Sequence, residues 1–137
     1  MQEFLIKSIS DLEKLSHAAK WQYFEKLVAF VFEENEYHVD QGVVIKVANG
    51  KRQIDVLARK FDKVFLVECK KWKNKERTSA LNSAVKKHLE RCDFYSVTKN
   101  RTATPIIVTL LDDDIEEKEG VAIVPIMKLN WFLNNLD

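Results

Sequence analysis

Little in this sequence suits a flexible, extracellular or membrane-spanning chain. It has only 3 Gly and 2 Pro in 137 residues, which argues against disordered linkers, collagen-like repeats and low-complexity segments. Its 2 Cys form no disulfide framework and no CxxC pair, because Cys69 reads as a core residue and Cys92 falls on a helix. The 3 His, at positions 17, 38 and 88, are too scattered for a zinc motif. No apolar run approaches the ~20 residues that span a bilayer, and the first residues lack a charged region leading into an apolar signal core. A cytoplasmic protein without a membrane partner is the expectation. With 46% hydrophobic residues, the chain can bury one core, so a single domain over residues 1–137 is expected. No internal repeat is visible.

Hydrophobic spacing then orders the chain. Residues 4 to 9 suit a short strand or helical turn, and Ser10 to Glu13 form a capping-box pattern. Ser16 can cap a longer helix, in which Trp21, Phe24, Leu27, Val28, Val31 and Phe32 recur at helical spacing as far as about Asn35. Residues 38 to 48 read as a strand, and Asn49-Gly50 is a hairpin signal leading into the next. Ser79 to Tyr95 is predicted helical, with Leu81, Val85, Leu89 and Cys92 on one face. Pro105 to Leu111 and Val121 to Ile126 read as buried strands, and Asn130 to Leu136 as a closing helix in which Trp131 and Phe132 are core residues. The result is an α/β fold with a central mixed sheet of about five strands flanked by helices.

The most informative segment is Arg-Gln-Ile-Asp-Val-Leu-Ala-Arg at 52–59, followed by Val-Phe-Leu-Val-Glu-Cys-Lys at 64–70. Two apolar runs around a short polar connector predict an antiparallel hairpin. If Arg59 pairs with Val64, then Leu57 faces Leu66 and Asp55 faces Glu68. Strand alternation puts Lys70 and Gln53 on that same face and turns Cys69 away. Like charges opposite one another destabilise a sheet, and ionisable groups are rarely buried alone. A divalent cation beside a phosphate would favour such an arrangement. A structural ion pair of the acids with Lys70 or Arg52 is the competing explanation, although buried pairs add little net stability. Hard oxygen donors without nearby His or Cys side chains suit Mg²⁺ or Mn²⁺.

Ile54-Asp55, a gap of twelve residues, and Glu68-Cys69-Lys70 together resemble the signature of the PD-(D/E)xK nuclease superfamily, with Ile where the name has Pro. Mrr-like restriction endonucleases and archaeal Holliday-junction resolvases are the most similar in look. The resemblance runs from the helix of Trp21, Phe24 and Glu25 to the helix near residues 79 to 95. It implies a restriction-endonuclease-like α-β-β-β-α-β core and metal-dependent hydrolysis of phosphodiesters. It also implies a metal held by Asp55, Glu68 and the backbone carbonyl of Cys69, and a helical glutamate, matched here by Glu25, that reaches the same site. Lys70 would orient the attacking water or stabilise developing negative charge.

The net charge of +1 conceals an asymmetry. Lys70, Lys71, Lys73, Lys75 and Arg77 surround Trp72 just after the acidic motif, with Lys86 and Lys87 on the following helix, whereas residues 112 to 119 hold six acids. Clustered cations gain affinity for phosphate backbones through counterion release. Arg52, Lys71, Trp72, Lys73, Lys75 and Arg77 are therefore the candidate nucleic-acid contacts; a solvated loop is the plain alternative. The acidic block reads as a solvated turn. A chain this small covers little DNA, and cutting both strands needs two sites, so a homodimer acting on DNA is expected. The competing class is a non-catalytic nucleic-acid-binding or assembly module of the same fold.

Overall fold

The computed structural model describes residues 21–47, 50–72, 78–110 and 113–136. The expected features at 4 to 16, Asn49, Lys73, Lys75, Arg77 and the acid at 112 lie outside them. In chain order the elements are α1 (Trp21–Glu34), β1 (His38–Val47), β2 (Gly50–Lys60), β3 (Lys63–Lys70), α2 (Thr78–Lys99), β4 (Thr104–Thr109), β5 (Glu116–Lys118), β6 (Val121–Pro125) and α3 (Ile126–Asn134). They build one six-stranded sheet in the order β1-β2-β3-β4-β6-β5.

The sheet is mixed. β1, β2 and β3 form an antiparallel meander. The crossover through α2 makes β4 parallel to β3, and β6, reached through the edge strand β5, is parallel to β4. β3 is central, and six consecutive residues from Val64 to Cys69 are buried in it. That run without alternation is what a strand covered on both faces looks like. One face carries α1 and α3, whose Phe24, Leu27, Val28, Val31, Phe32, Leu129 and Leu133 pack with Val56, Ala58, Val67, Cys69, Ile106 and Val108. The other face carries α2, packed on Ile54, Leu57, Val64 and Leu66 through Cys92 and Tyr95, and on Ile107, Val121 and Ile123 through Ala84 and Val85. Burying a side chain of this size fully is worth about 1.5–3 kcal/mol, so both layers hold the sheet firmly.

Several boundaries differ from the sequence reading. The sixth strand is β5, in which Glu116 and Glu117 pair with Ile123 and Ala122. Its residues belong to the acidic block that reads as a solvated turn; a short, charged strand is how sheets blunt an edge. The hairpin register is as expected from Arg59↔Val64, with one further pair, Lys60↔Lys63. This leaves a two-residue turn in which Phe61 has a positive φ of 56° and is 91% exposed. In α2 the buried stripe includes His88, absent from the predicted face, while Leu81 and Leu89 are only half-buried. Trp131 is 61% exposed and so is not the core residue it reads as, whereas Phe132 does pack against the core.

Candidate active site

The sheet breaks at Asp55. The β1–β2 ladder passes from Gln41↔Val56 to Val43↔Ile54 without a Gly42↔Asp55 pair, and Gly42 has a φ of 62°, a backbone conformation that glycine reaches without steric cost. On the other side the β2–β3 ladder stops at Val56↔Val67. In place of the next rung, the Cys69 N–H donates to Asp55 Oδ2 at 2.9 Å. The break also resets alternation. Leu57 and Ile54, three residues apart, both join the α2-side core, while Val56 between them joins the opposite one. Gln53, expected on the same face as Asp55, is exposed beyond this break.

Glu68 is buried, at 8% exposure. Its Oε2 accepts from Arg91 Nη1 of α2 at 2.5 Å. Neither Lys70 nor Arg52 takes that place, so the ion pair that the sequence reading weighed exists with a different partner. One turn before Arg91, the buried His88 lies with Nε2 2.8 Å from the Leu66 carbonyl. Burial, chiefly, and the Arg91 charge push His88 down to about 4, so the neutral ring donates through Nε2–H. This bond fastens α2 to β3 two residues from Glu68.

Asp55 is pushed up to about 7, first by burial and then by a hydrogen bond and like charge from Glu68; the Cys69 N–H and Arg91 act in the opposite direction. Glu25 on α1 is also raised, by burial and by the charge of Asp55. All three carboxyls act on the buried Cys69 thiol, which is held well above its ordinary value, chiefly by burial. Asp55, hydrogen-bonded to the Cys69 N–H, therefore stands within electrostatic reach of both Glu25 on α1 and Glu68 on β3. Lys70, half-buried at the end of β3 and paired in the ladder with Thr109, forms no ion pair among the described residues. Among these residues, no three His, Cys, Asp or Glu side chains are drawn together as metal ligands are. The cation lying against the carboxylates is Arg91.

The basic candidates divide. Arg52 is fastened to α2: its Nε and Nη2 donate to Glu90 Oε1 at 2.8 and 2.6 Å, and its guanidinium stacks 4.6 Å from the Phe94 ring centroid. Trp72 is half-buried against Leu81, Leu89 and the Ala84–Val85 core, so its ring is largely committed to packing. Lys71 is half-buried, and Lys86 and Lys87 are exposed along α2. No described helix is long and apolar enough to cross a membrane.

The sequence reading missed Arg91 and His88. His88 was legible from helical spacing, since Val85, His88, Cys92 and Tyr95 fall on one face of α2; Arg91 lies beside that face.

Residues 20–126 match the family described as Nuclease-related domain. A chain of Archaeoglobus fulgidus described as an uncharacterized protein is 33% identical over 118 residues, which are 85% of this chain and 92% of that one. Among solved structures, the small subunit of the heterodimeric restriction endonuclease R.BspD6I aligns with a TM-score of 0.59 at 15% identity, covering 94% of this chain and 76% of that chain. A protein of unknown function, AF1548, aligns with a TM-score of 0.54 at 21% identity over 75% of this chain, which spans 57% of that one. The fold is the PD-(D/E)xK-like nuclease fold that the sequence motif implies.

Proposed function

We propose that this chain, which belongs to the nuclease-related domain family, is a divalent-metal-dependent endonuclease that hydrolyses DNA phosphodiester bonds. The observation that carries the reading is the break in the sheet at Asp55, where the carboxyls of Asp55 and Glu68 lie close despite their like charge and Glu25 of α1 stands within electrostatic reach of Asp55. A protein that needed only a stable sheet gains nothing from this. The donors fit a hard cation, since Glu25, Asp55, Glu68 and the Cys69 carbonyl all offer oxygen. Burial and the like charge of Glu68, which raise Asp55, and Arg91 drawn onto Glu68 support a site that would gain from a cation.

Bound Mg²⁺ or Mn²⁺ would polarise the scissile phosphate and lower the pKa of an attacking water. Asp55 and Glu68 would fix that ion relative to the phosphate, with the Cys69 N–H holding Asp55 in its rotamer. Glu25, half-buried and raised in pKa, is suited to accept a proton from the water. Lys70 would place its ammonium against the attacking water or the phosphoryl oxygens, where charge develops. Lys71 and the cations at 73, 75 and 77 would follow the backbone of the DNA, with Lys86 and Lys87 extending the track. Two copies would supply the two sites needed to cut a duplex.

The test is metal-dependent cleavage across linear, branched and single-stranded DNA. Cleavage with Mg²⁺ and none with EDTA is expected. Intact DNA binding with no cleavage of any substrate in Mg²⁺ or Mn²⁺ favours the binding-module reading instead.

A further inference from the structure

Arg91 differs from the other paired arginine of α2's surroundings in how it is held. Arg52 is held on all three of its nitrogens, which donate to Glu90 and to the Lys51 carbonyl, and its plane is stacked on Phe94. Arg91, among the described residues, makes one hydrogen bond, through Nη1 to Glu68 Oε2 at 2.5 Å. A guanidinium carries five N–H donors, so most of its fork remains available, and its side chain is 21% exposed. Solvent therefore reaches it, and so would a phosphate. Its backbone does not move freely, because His88 ties the preceding turn to the Leu66 carbonyl. What can move is the long side chain.

A guanidinium and a divalent ion repel one another, so while Nη1 lies on Glu68 Oε2 the two compete for that carboxylate. Phosphate oxygens compete well for such a group, because the planar fork matches them bidentately. We infer that Arg91 is a positioning residue that occupies Glu68 until a DNA phosphate draws its guanidinium away, so that loading of the divalent ion is coupled to the arrival of substrate. The inference rests on the nuclease reading and deepens it: the empty enzyme keeps its acids neutralised by an internal cation and opens Glu68 only beside a phosphate. By linkage, the factor by which DNA tightens the metal equals the factor by which the metal tightens DNA, and Arg91 contributes a part of that factor.

The experiment is a calorimetric titration with Mg²⁺, with and without a phosphorothioate duplex that resists cleavage, on wild type, Arg91→Met and Arg91→Gln. Without DNA, both variants should bind Mg²⁺ about tenfold more tightly than wild type, the order of one charge-assisted hydrogen bond removed. The duplex should then tighten Mg²⁺ binding several-fold less in the variants than in wild type. That second readout separates displacement from a general change of charge, which would leave the DNA-dependent factor alone. Unchanged or weaker Mg²⁺ affinity in folded variants, or an unchanged DNA-dependent factor, overturns the inference while leaving the nuclease reading in place. Failure of both variants to fold makes Arg91 a structural counter-charge and overturns it equally. Absence of Mg²⁺ binding in all three proteins, with no cleavage by wild type, removes the nuclease reading and this inference with it.

Discussion

Replacing Asp55 with asparagine should stabilise the metal-free protein near pH 8 while abolishing its chemistry. Asn keeps an oxygen for the Cys69 N–H and offers Glu68 an amide donor in place of a like charge. The folded state holds the Asp55 proton up to about pH 7, against an ordinary value of 3.8. Between these values the folded protein binds more protons than the unfolded chain, so wild-type stability falls as pH rises from about 4 to 7, and the whole cost is present above 7. At ~1.4 kcal/mol per tenfold change in proton affinity, the upper limit is ~4 kcal/mol. Solvent reaches the half-buried carboxyl, and screening reduces this to about 1–2 kcal/mol. Urea denaturation of both proteins in EDTA at pH 4.5, 6 and 8 measures it. The variant's advantage should be small at pH 4.5 and largest at pH 8. An equal or lower stability of Asp55→Asn at pH 8, or an advantage independent of pH, refutes the reasoning.

Three further outcomes follow from other parts of the molecule. Gly42→Val should destabilise by about 1–2 kcal/mol, because a β-branched residue must adopt the positive φ opposite Asp55 although its side chain meets nothing; thermal melts report this. Phe61→Gly should raise stability by up to about 0.5–1 kcal/mol, since it relieves a left-handed turn residue that is 91% exposed, and a urea midpoint shifted downward argues against that. Neutralising Lys71, Lys73, Lys75 and Arg77 together should weaken DNA binding across sequences and flatten the salt dependence by roughly one unit of slope per lost phosphate contact, as read by fluorescence anisotropy at several salt concentrations.

What could be read in advance depended on periodicity. The hairpin register followed from Arg59↔Val64 because two apolar runs leave few pairings with buried faces, and Glu25 was found by its match to the helical glutamate that the family resemblance implies. The break at Asp55 was not legible. Gly42 in a strand signals irregularity, but only the folded β1–β2 ladder reveals that its unpaired partner is Asp55. Arg91 was missed for a different reason: α2 packs obliquely over several strands, contacting Leu57 and Leu66 through Cys92 and Tyr95 but Ile107 and Val121 through Ala84 and Val85. Its buried stripe is correspondingly diffuse. Glu116 and Glu117 read as a turn because composition outweighed pairing; the edge position of β5 is what lets a charged triplet be a strand.

The most direct test of the account measures single-turnover cleavage and DNA affinity side by side for wild type, Lys70→Ala and Glu68→Ala in Mg²⁺. Lys70 shares a strand end with Glu68 and cannot ligate a metal while protonated, so its proposed task lies in the transition state. Lys70→Ala should bind DNA as wild type does and cleave on the order of a hundredfold more slowly, whereas Glu68→Ala should lose cleavage together with Mg²⁺ binding. If wild type does not cleave and Glu68→Ala is stabilised with DNA binding intact, the acids and Arg91 form a structural cluster and the catalytic account is wrong.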